Sequence, residues 1–289
     1  MPHLLVWRLL MGASVAHSLS TPITTRREAM MISASSLLAT SAAAQPVEAS
    51  TPTPGAVPGP REIMTSVEVK TGGKTVEVVR PRLTGAGDSS WEYAVTDVSS
   101  KILREPFPNA WPYTGVDDFK RLDEAPDTTF YRYPKLVYHI DEGAVAALTH
   151  YYAGNIPSGS AILDICSSWV SHYPRDFPGK MRSIVGTGIS EIELACNDQL
   201  STYAQADLNV KPKLPFPDSS FDFVTCVVSF DYLNRPLEVM REVRRVLRPG
   251  GTVILSQSNR CFYSVRGACS KGGGGGSVLT AWSSLMHDE

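Results

Sequence analysis

A doubly wound α/β fold with a mostly parallel sheet is what this sequence predicts, on three observations. Residues 214–251 read LPFPDSSFDFVTCVVSFDYLNRPLEVMREVRRVLRPGG, which is turn, buried strand, loop, amphipathic helix and stop in that order. Short aliphatic runs recur at 161–165, 183–187 and 252–256, each the length of one strand. Such runs suit parallel strands covered on both faces. The length, 289 residues with 43% hydrophobic content, suffices for one good-sized α/β domain plus extensions.

Each element has a local cause. Pro215, Pro217 and Asp218-Ser219-Ser220 mark a polar turn before the strand at 221–229. Pro236 suits a first helical position, where a fixed φ helps and a missing N–H does no harm. Val239, Met240, Val243, Val246 and Leu247 recur at helical spacing, with Arg241, Arg244, Arg245 and Arg248 on or beside the opposite, solvated face. Pro249-Gly250-Gly251 stops the helix. Upstream, Asp141 can cap a helix striped by Val145, Leu148 and Tyr152 and ended near Gly154. Ser190 and Glu193 have capping-box spacing after the strand at 183–187, and a third strand falls around 203–206. Pro174 and Pro178 predict that the first crossover helix is short, displaced or absent.

The pairing of LPFPDSSFDFV with a helix ending in VLRPGG resembles the class I S-adenosylmethionine-dependent methyltransferases, in particular those with the methyltransferase type 11 domain. The resemblance runs from about 140 to 260. It implies a Rossmann-like sheet with S-adenosylmethionine lying across the carboxyl ends of the strands, the ordinary place for ligands in open α/β sheets. By the same resemblance, Asp164 is the acid that ends the first strand. Cys166, Ser168 and Val170 stand where the family has alternating glycines, which let backbone approach the cofactor. Gly186 and Gly188 belong to the end of the second strand, and Gly188 takes the place of an acid that holds the ribose, with Glu191 as the nearest substitute. Asp207 and Leu208 match the pair that meets the adenine. Ser229 lies on the cofactor side after the fourth strand, and Asp231 or Tyr232 is placed to orient an acceptor or take its proton. The family continues with a helix and an antiparallel hairpin. After Ser258 only 31 residues follow, Gly272 to Gly276 among them, so a chain lacking the hairpin, or a partner covering the fifth-strand edge, is expected.

The first 49 residues read as targeting information. No acid precedes Glu28, Ser and Thr are frequent from 14 to 25, and Arg26-Arg27 is followed by an apolar stretch and by Ser41-Ala42-Ala43-Ala44. A transit-like leader before a Tat-like signal predicts a plastid address, with the thylakoid lumen as destination; a bacterial-type Tat export signal is the alternative. A Pro-rich linker follows over 50–62, and an extension docked on the main domain over 63–133. In that extension SVEVK and TVEVVR flank Thr71-Gly72-Gly73-Lys74 as a hairpin, with Trp91, Phe107, Trp111 and Tyr113 as apolar anchors. The methyltransferase-like domain is assigned to 134–260 and a Gly-rich tail to 261–289.

Several chemistries drop out. A net charge of −2 gives no electrostatic case for nucleic acid. No uncharged apolar run of about 18 residues predicts a transmembrane helix. His139, His150 and His172 lack metal-ligand spacing. Cys166 and His172 have no third group to complete a thiol nucleophile. Two functions stay open: methyl transfer from S-adenosylmethionine to a small-molecule or protein acceptor, and a catalytically inactive methyltransferase-like binding or assembly protein of the plastid. The missing glycines, the missing ribose acid and the short C-terminus favour the second, while Asp164, Asp207 and the intact βαβ core keep the enzyme ahead as the expected function.

Overall fold

A computed structural model describes residues 4–10, 30–33, 61–84, 96–97, 119–121 and 123–258. The anchors Trp91, Phe107, Trp111 and Tyr113, most of the targeting stretch and of the Pro-rich linker, and the tail at 261–289 lie outside the described residues. In chain order the strands are β1 (Leu4–Leu10), β2 (Met30–Ser33), β3 (Arg61–Thr71), β4 (Lys74–Thr84), β5 (Thr96–Asp97), β6 (Ala161–Ile165), β7 (Ser183–Gly188), β8 (Thr202–Gln205), β9 (Phe221–Val227) and β10 (Leu247–Ser258). The helices are α1 (Asp127–Phe130), α2 (Glu142–Asn155), α3 (Phe177–Lys180), α4 (Glu191–Cys196) and α5 (Pro236–Val246).

One sheet holds the domain together, in the order β5-β2-β1-β10-β9-β6-β7-β8. The strands β8, β7, β6, β9 and β10 are mutually parallel. Their order reverses between β6 and β9, and such a switch point opens a crevice at the carboxyl ends of the strands. Alternation along each strand feeds two cores. Leu163, Val224, Cys226, Val253 and Leu255 pack with Val239, Met240 and Val243 of α5. Ile162, Phe223 and Ile254 pack on the other face with Leu148 and Tyr152 of α2. Each fully buried aliphatic or aromatic side chain here contributes about 1.5–3 kcal/mol.

Local signals turn out as their chemistry demands. Ala144 N donates to Asp141 Oδ1 at 2.8 Å to start α2. Pro236 opens α5. Between β6 and β7 the crossover helix shrinks to the four residues of α3, with Pro178 in its first turn. Asp222, an acid in an apolar strand, ties three segments: it accepts from Ala161 N, Arg182 and Arg248 at 2.7–2.8 Å. The arginine face of α5 is thus more than solvated surface. Arg245 donates to Leu214 O, Phe216 O and Asp218 Oδ1, locking the turn before β9.

Two N-terminal pieces attach to this frame. Gly72 and Gly73 (φ 54° and 74°) form the tight turn of the β3–β4 hairpin, left-handed at both positions as a two-residue connection prefers. Val69 packs against Trp169 and Cys196, and the buried Arg80 guanidinium donates to Cys196 O at 2.6 Å and Asp198 Oδ2 at 2.7 Å. The expected need for a partner at the fifth-strand edge is corrected. β1 pairs antiparallel with β10 from Leu4↔Ser258 to Leu10↔Thr252, so this chain's own backbone satisfies that edge.

Candidate active site

A cavity of about 390 Å³ opens at the switch point, within the size range of small-molecule sites. Its floor is the loop after β6 and the ends of β7, β8 and β9; its roof is the stretch from Arg121 to His139.

The floor loop is held by hydrogen bonds rather than by glycines and a crossover helix. Asp164 is 2% exposed; its Oδ2 accepts from Ser167 Oγ and Ser171 Oγ, each at 2.7 Å, and its Oδ1 from Thr225 Oγ1 at 3.0 Å. Burial pushes its pKa up to about 6, against the pull of those three hydroxyls. Ser168 Oγ donates to Glu193 Oε2 at 2.6 Å, and Asn197 Nδ2 donates to Ser168 O at 2.9 Å. Trp169 Nε1 donates to Val137 O at 3.2 Å. Cys166 has φ 53°, the left-handed backbone that glycine adopts without strain.

The predicted residues separate into three sets. Cys166, Ser168, Gly188, Leu208, Ser229 and Tyr232 line the cavity, together with Asp164 and Asp207. Asp164 spends one oxygen on Ser167 and Ser171 of the loop and the other on Thr225 of β9, so its work is to shape the floor. Asp207 Oδ1 accepts from Asn209 N and Val210 N at 3.0 and 3.2 Å, while its Oδ2 makes no hydrogen bond among the described residues. Gly186 and Asp231 do not line the cavity. Gly186 sits within β7, where an added Cβ would stand 2.4 Å from Leu200 Cδ1; it is a packing glycine. Asp231 lies in the short 3₁₀ turn at Phe230–Tyr232. Gly188 is where the ribose acid was missed: a Cβ there would meet Ser167 O at 2.1 Å, so the floor loop fills the space that any side chain would need. Glu191 does not line the cavity either.

Other wall residues had no signal in the sequence. Glu193 donates its N–H to Ser190 Oγ at 3.4 Å but turns its carboxylate away from that cap, accepting from Ser168 Oγ and from Lys135 N at 2.7 Å. It therefore fastens roof to floor. Asn209 does the same at the other end, donating to Asp127 Oδ2 at 2.7 Å and Tyr232 O at 3.1 Å. Tyr131 is held protonated well above the ordinary phenol range by burial, then by Glu193, Cys166 and Asp127. Burial lowers His139 and, with His139 beside it, takes His172 down to about 3. Four acids (Asp127, Asp164, Glu193, Asp207) face two cations (Arg121, Lys135) around this space. Among the described residues no group of three or more metal-ligating side chains forms, and no helix is long and apolar enough to cross a membrane.

Residues 167–255 match the profile of the methyltransferase domain family. The chain is 33% identical over 114 residues to the demethylmenaquinone methyltransferase of Bacillus licheniformis, covering 37% of this chain and 48% of that protein. It is 33% identical over 124 residues to the protein of the same name from Geobacillus stearothermophilus, covering 39% and 51%. The chain spans about half the length of these curated relatives. The stretch that is similar to the methyltransferase domain family, 167–255, is the one that supplies β7, β8, β9, most of β10 and much of the floor of the switch-point cavity.

Proposed function

We propose that this protein binds S-adenosylmethionine in the switch-point cavity and transfers its methyl group to an acceptor bound beside it. The observation that carries this reading is the left-handed backbone of Cys166 on the cavity floor. The turn that the family makes with glycine is kept by a residue that holds it at a strain of about 1 kcal/mol or more. The acidic lining suits a cationic ligand as well. When bound, S-adenosylmethionine supplies an electrophilic methyl group on a positively charged sulfur. Asp207 Oδ2 and Leu208 would hold the adenine, the Cys166–Ser168 backbone the methionine end, and Tyr232 a place next to the acceptor. Glu193 and Asn209 keep roof and floor in register, so that alignment of the two reactants does most of the work.

Calorimetric titration of S-adenosylmethionine and S-adenosylhomocysteine into the full chain tests the reading, with Asp207→Ala alongside. Saturable binding, weakened about tenfold or more in the variant, is expected. A folded wild-type protein that binds neither would end it. The second reading, an inactive methyltransferase-like binding or assembly protein of the plastid, would then lead; it draws support from Gly188, which leaves no room for a ribose acid.

For the address we propose the plastid, and within it the thylakoid lumen, on the basis of Arg26-Arg27 and the acid-free leader before Glu28. Export by a bacterial-type Tat route is the alternative. A fluorescent fusion of the full chain, expressed in a plastid-bearing cell, should collect in that organelle; diffuse cytosolic signal would refute both.

A further inference from the structure

We propose that Cys166 and Cys226 form a dithiol switch under the cavity floor: a peroxide entering the cavity closes them to a disulfide, and the closed form holds the cofactor less well. The cofactor half of this inference rests on the methyl-transfer reading above; the disulfide itself does not.

The sheet brings the two residues together. Asp164↔Thr225 is the last rung between β6 and β9. One residue further along each strand stand Ile165 and Cys226, and Cys166 is one step beyond. Strand spacing and rise put Cα atoms so related about 5.8 Å apart. Disulfides span about 4.4–6.8 Å between Cα atoms, most often about 5.5–6 Å.

Distance alone is not enough, because alternate residues of a strand point to opposite faces. Ala161, Leu163 and Ile165 enter the core under α5, together with Val224 and Cys226. Ile162 enters the core under α2. Continued alternation would send Cys166 after Ile162, away from Cys226. Its φ of 53° turns the side chain back, and it packs against the α5 core instead. There the thiols meet: a hydrogen bond with Cys166, ahead of burial, pushes the Cys226 thiol well above its ordinary range. A left-handed backbone costs a non-glycine residue about 1–2 kcal/mol, and what this strain achieves is the thiol–thiol contact.

The two thiols differ in access. Cys166 is half-buried and lines the cavity. Cys226 is 0% exposed and does not line it. Cys196 is buried with Val69 and Trp169 in a separate cluster. A small oxidant in the cavity therefore meets Cys166 first. A hydroperoxide gives one oxygen to the Cys166 sulfur: its O–O bond breaks, it leaves as water or an alcohol, and Cys166 becomes a sulfenic acid. The Cys226 sulfur then attacks that sulfur. An S–S bond forms, the S–O bond breaks, and the Cys226 proton leaves with the oxygen as water. Two electrons have passed from the thiols to the peroxide, and a dithiol reductant reverses the change.

The floor moves when the bond closes. An S–S bond is about 2.0 Å long against about 3.5–4 Å for atoms in contact, so Cys166 is drawn toward β9 by about 1.5 Å. Ser167 has no slack to absorb this. Its N–H donates to Thr187 O at 2.8 Å, and its carbonyl fills the space over Gly188. The backbone that would carry the methionine end is thereby displaced.

The full chain, treated with a slight excess of hydrogen peroxide, digested without reduction and mapped by mass spectrometry, tests this, with Cys226→Ala and Cys166→Ser alongside. Wild type should yield a peptide pair cross-linked through Cys166 and Cys226 and lighter by two hydrogen atoms. Cys226→Ala should stop at the sulfenic acid, trapped at Cys166 by dimedone, and Cys166→Ser should leave Cys226 unoxidised. By calorimetry, oxidised wild type should bind S-adenosylhomocysteine about tenfold more weakly than reduced, and dithiothreitol should restore both the thiols and the affinity. A Cys166 that resists peroxide, that stays a sulfenic acid in wild type, or that links to another cysteine overturns the dithiol. A Cys166–Cys226 link that leaves the affinity unchanged overturns the switch. If Cys226→Ala does not fold, the wild-type map and Cys166→Ser decide. Should reduced, folded wild type bind no S-adenosylhomocysteine, the methyl-transfer reading falls and takes the cofactor half with it, while the peptide map still decides the disulfide.

Discussion

Asp164 and Asp207 stand at the carboxyl ends of parallel strands two places apart in one sheet, and both face one cavity. Their circumstances differ. Asp164 is buried and gives both oxygens to Ser167, Ser171 and Thr225. Asp207 is half-buried and gives one oxygen to its own turn, leaving the other to the cavity. The first shapes a binding floor; the second is available to a ligand. Carboxylates at matching places in a sheet are thus told apart by who already occupies their oxygens, which proximity to a cavity does not reveal.

The sharpest way to break that contrast is Asp164→Ala. Three buried hydroxyls would lose their acceptor, and unfolding in urea should show a loss of about 3–5 kcal/mol. Asp164→Asn, which keeps one acceptor oxygen, should lose less. A change in Asp164→Ala below about 1 kcal/mol would mean that the floor does not depend on this carboxylate.

Acid separates the two kinds of burial next. Asp164 titrates near 6 when folded against 3.8 unfolded, so its contribution to stability is complete below pH 4 and falls as pH rises through 6. His172 runs the other way: with a folded value of about 3 against 6.5, its contribution is complete above pH 6.5 and is lost as pH falls toward 3. Replacing His172 with asparagine should therefore make the protein less sensitive to acid, gaining about 2 kcal/mol over wild type between pH 7.5 and pH 5. Parallel stability profiles for the two proteins would show that His172 is not buried in its neutral form.

For Asp207→Ala the expected stability change is small, about 1 kcal/mol, because only the turn at Asn209 and Val210 loses its acceptor. The smallest effect belongs to Cys166→Gly. Relief of the left-handed strain and the added freedom of the unfolded chain nearly cancel, so stability should shift by less than about 1 kcal/mol. A loss of several kcal/mol would instead mean that the Cys166 side chain is needed where it packs against the α5 core.

Much of this architecture was legible in the chain. The turn, strand and helix from 214 to 251, the Gly72-Gly73 hairpin and the Asp141 cap all depend on neighbours within a few positions. The site was legible only in part. Cys166, Ser168, Gly188, Asp207, Leu208, Ser229 and Tyr232 do gather at one cavity, because they follow strand ends that the sheet brings together. Gly186 and Asp231 share those segments but sit one pleat or one turn away, a distinction that spacing along the chain does not carry. Glu193 illustrates the other kind of miss: its position spells a capping box, yet its carboxylate prefers a serine hydroxyl 25 residues back and a backbone N–H 58 residues back.

By itself, the sequence determined the parallel strands between 161 and 258, the helices at 142–155, 191–196 and 236–246 and the Asp141 cap, since periodicity, turn chemistry and capping act over one or two turns of chain. The strands at 4–10 and 30–33, read as targeting sequence, are set by pairing with a strand more than 200 residues away and with each other. Only the tertiary structure decided which polar groups were consumed in building the cavity and which were left for a ligand. Asp164 finds Thr225 across 61 residues, Arg80 finds Asp198 across 118, and the buried His172 Nδ1 finds no partner among the described residues. Hydrogen-bond partners at those separations are chosen by the packing of the whole sheet, which no local pattern records.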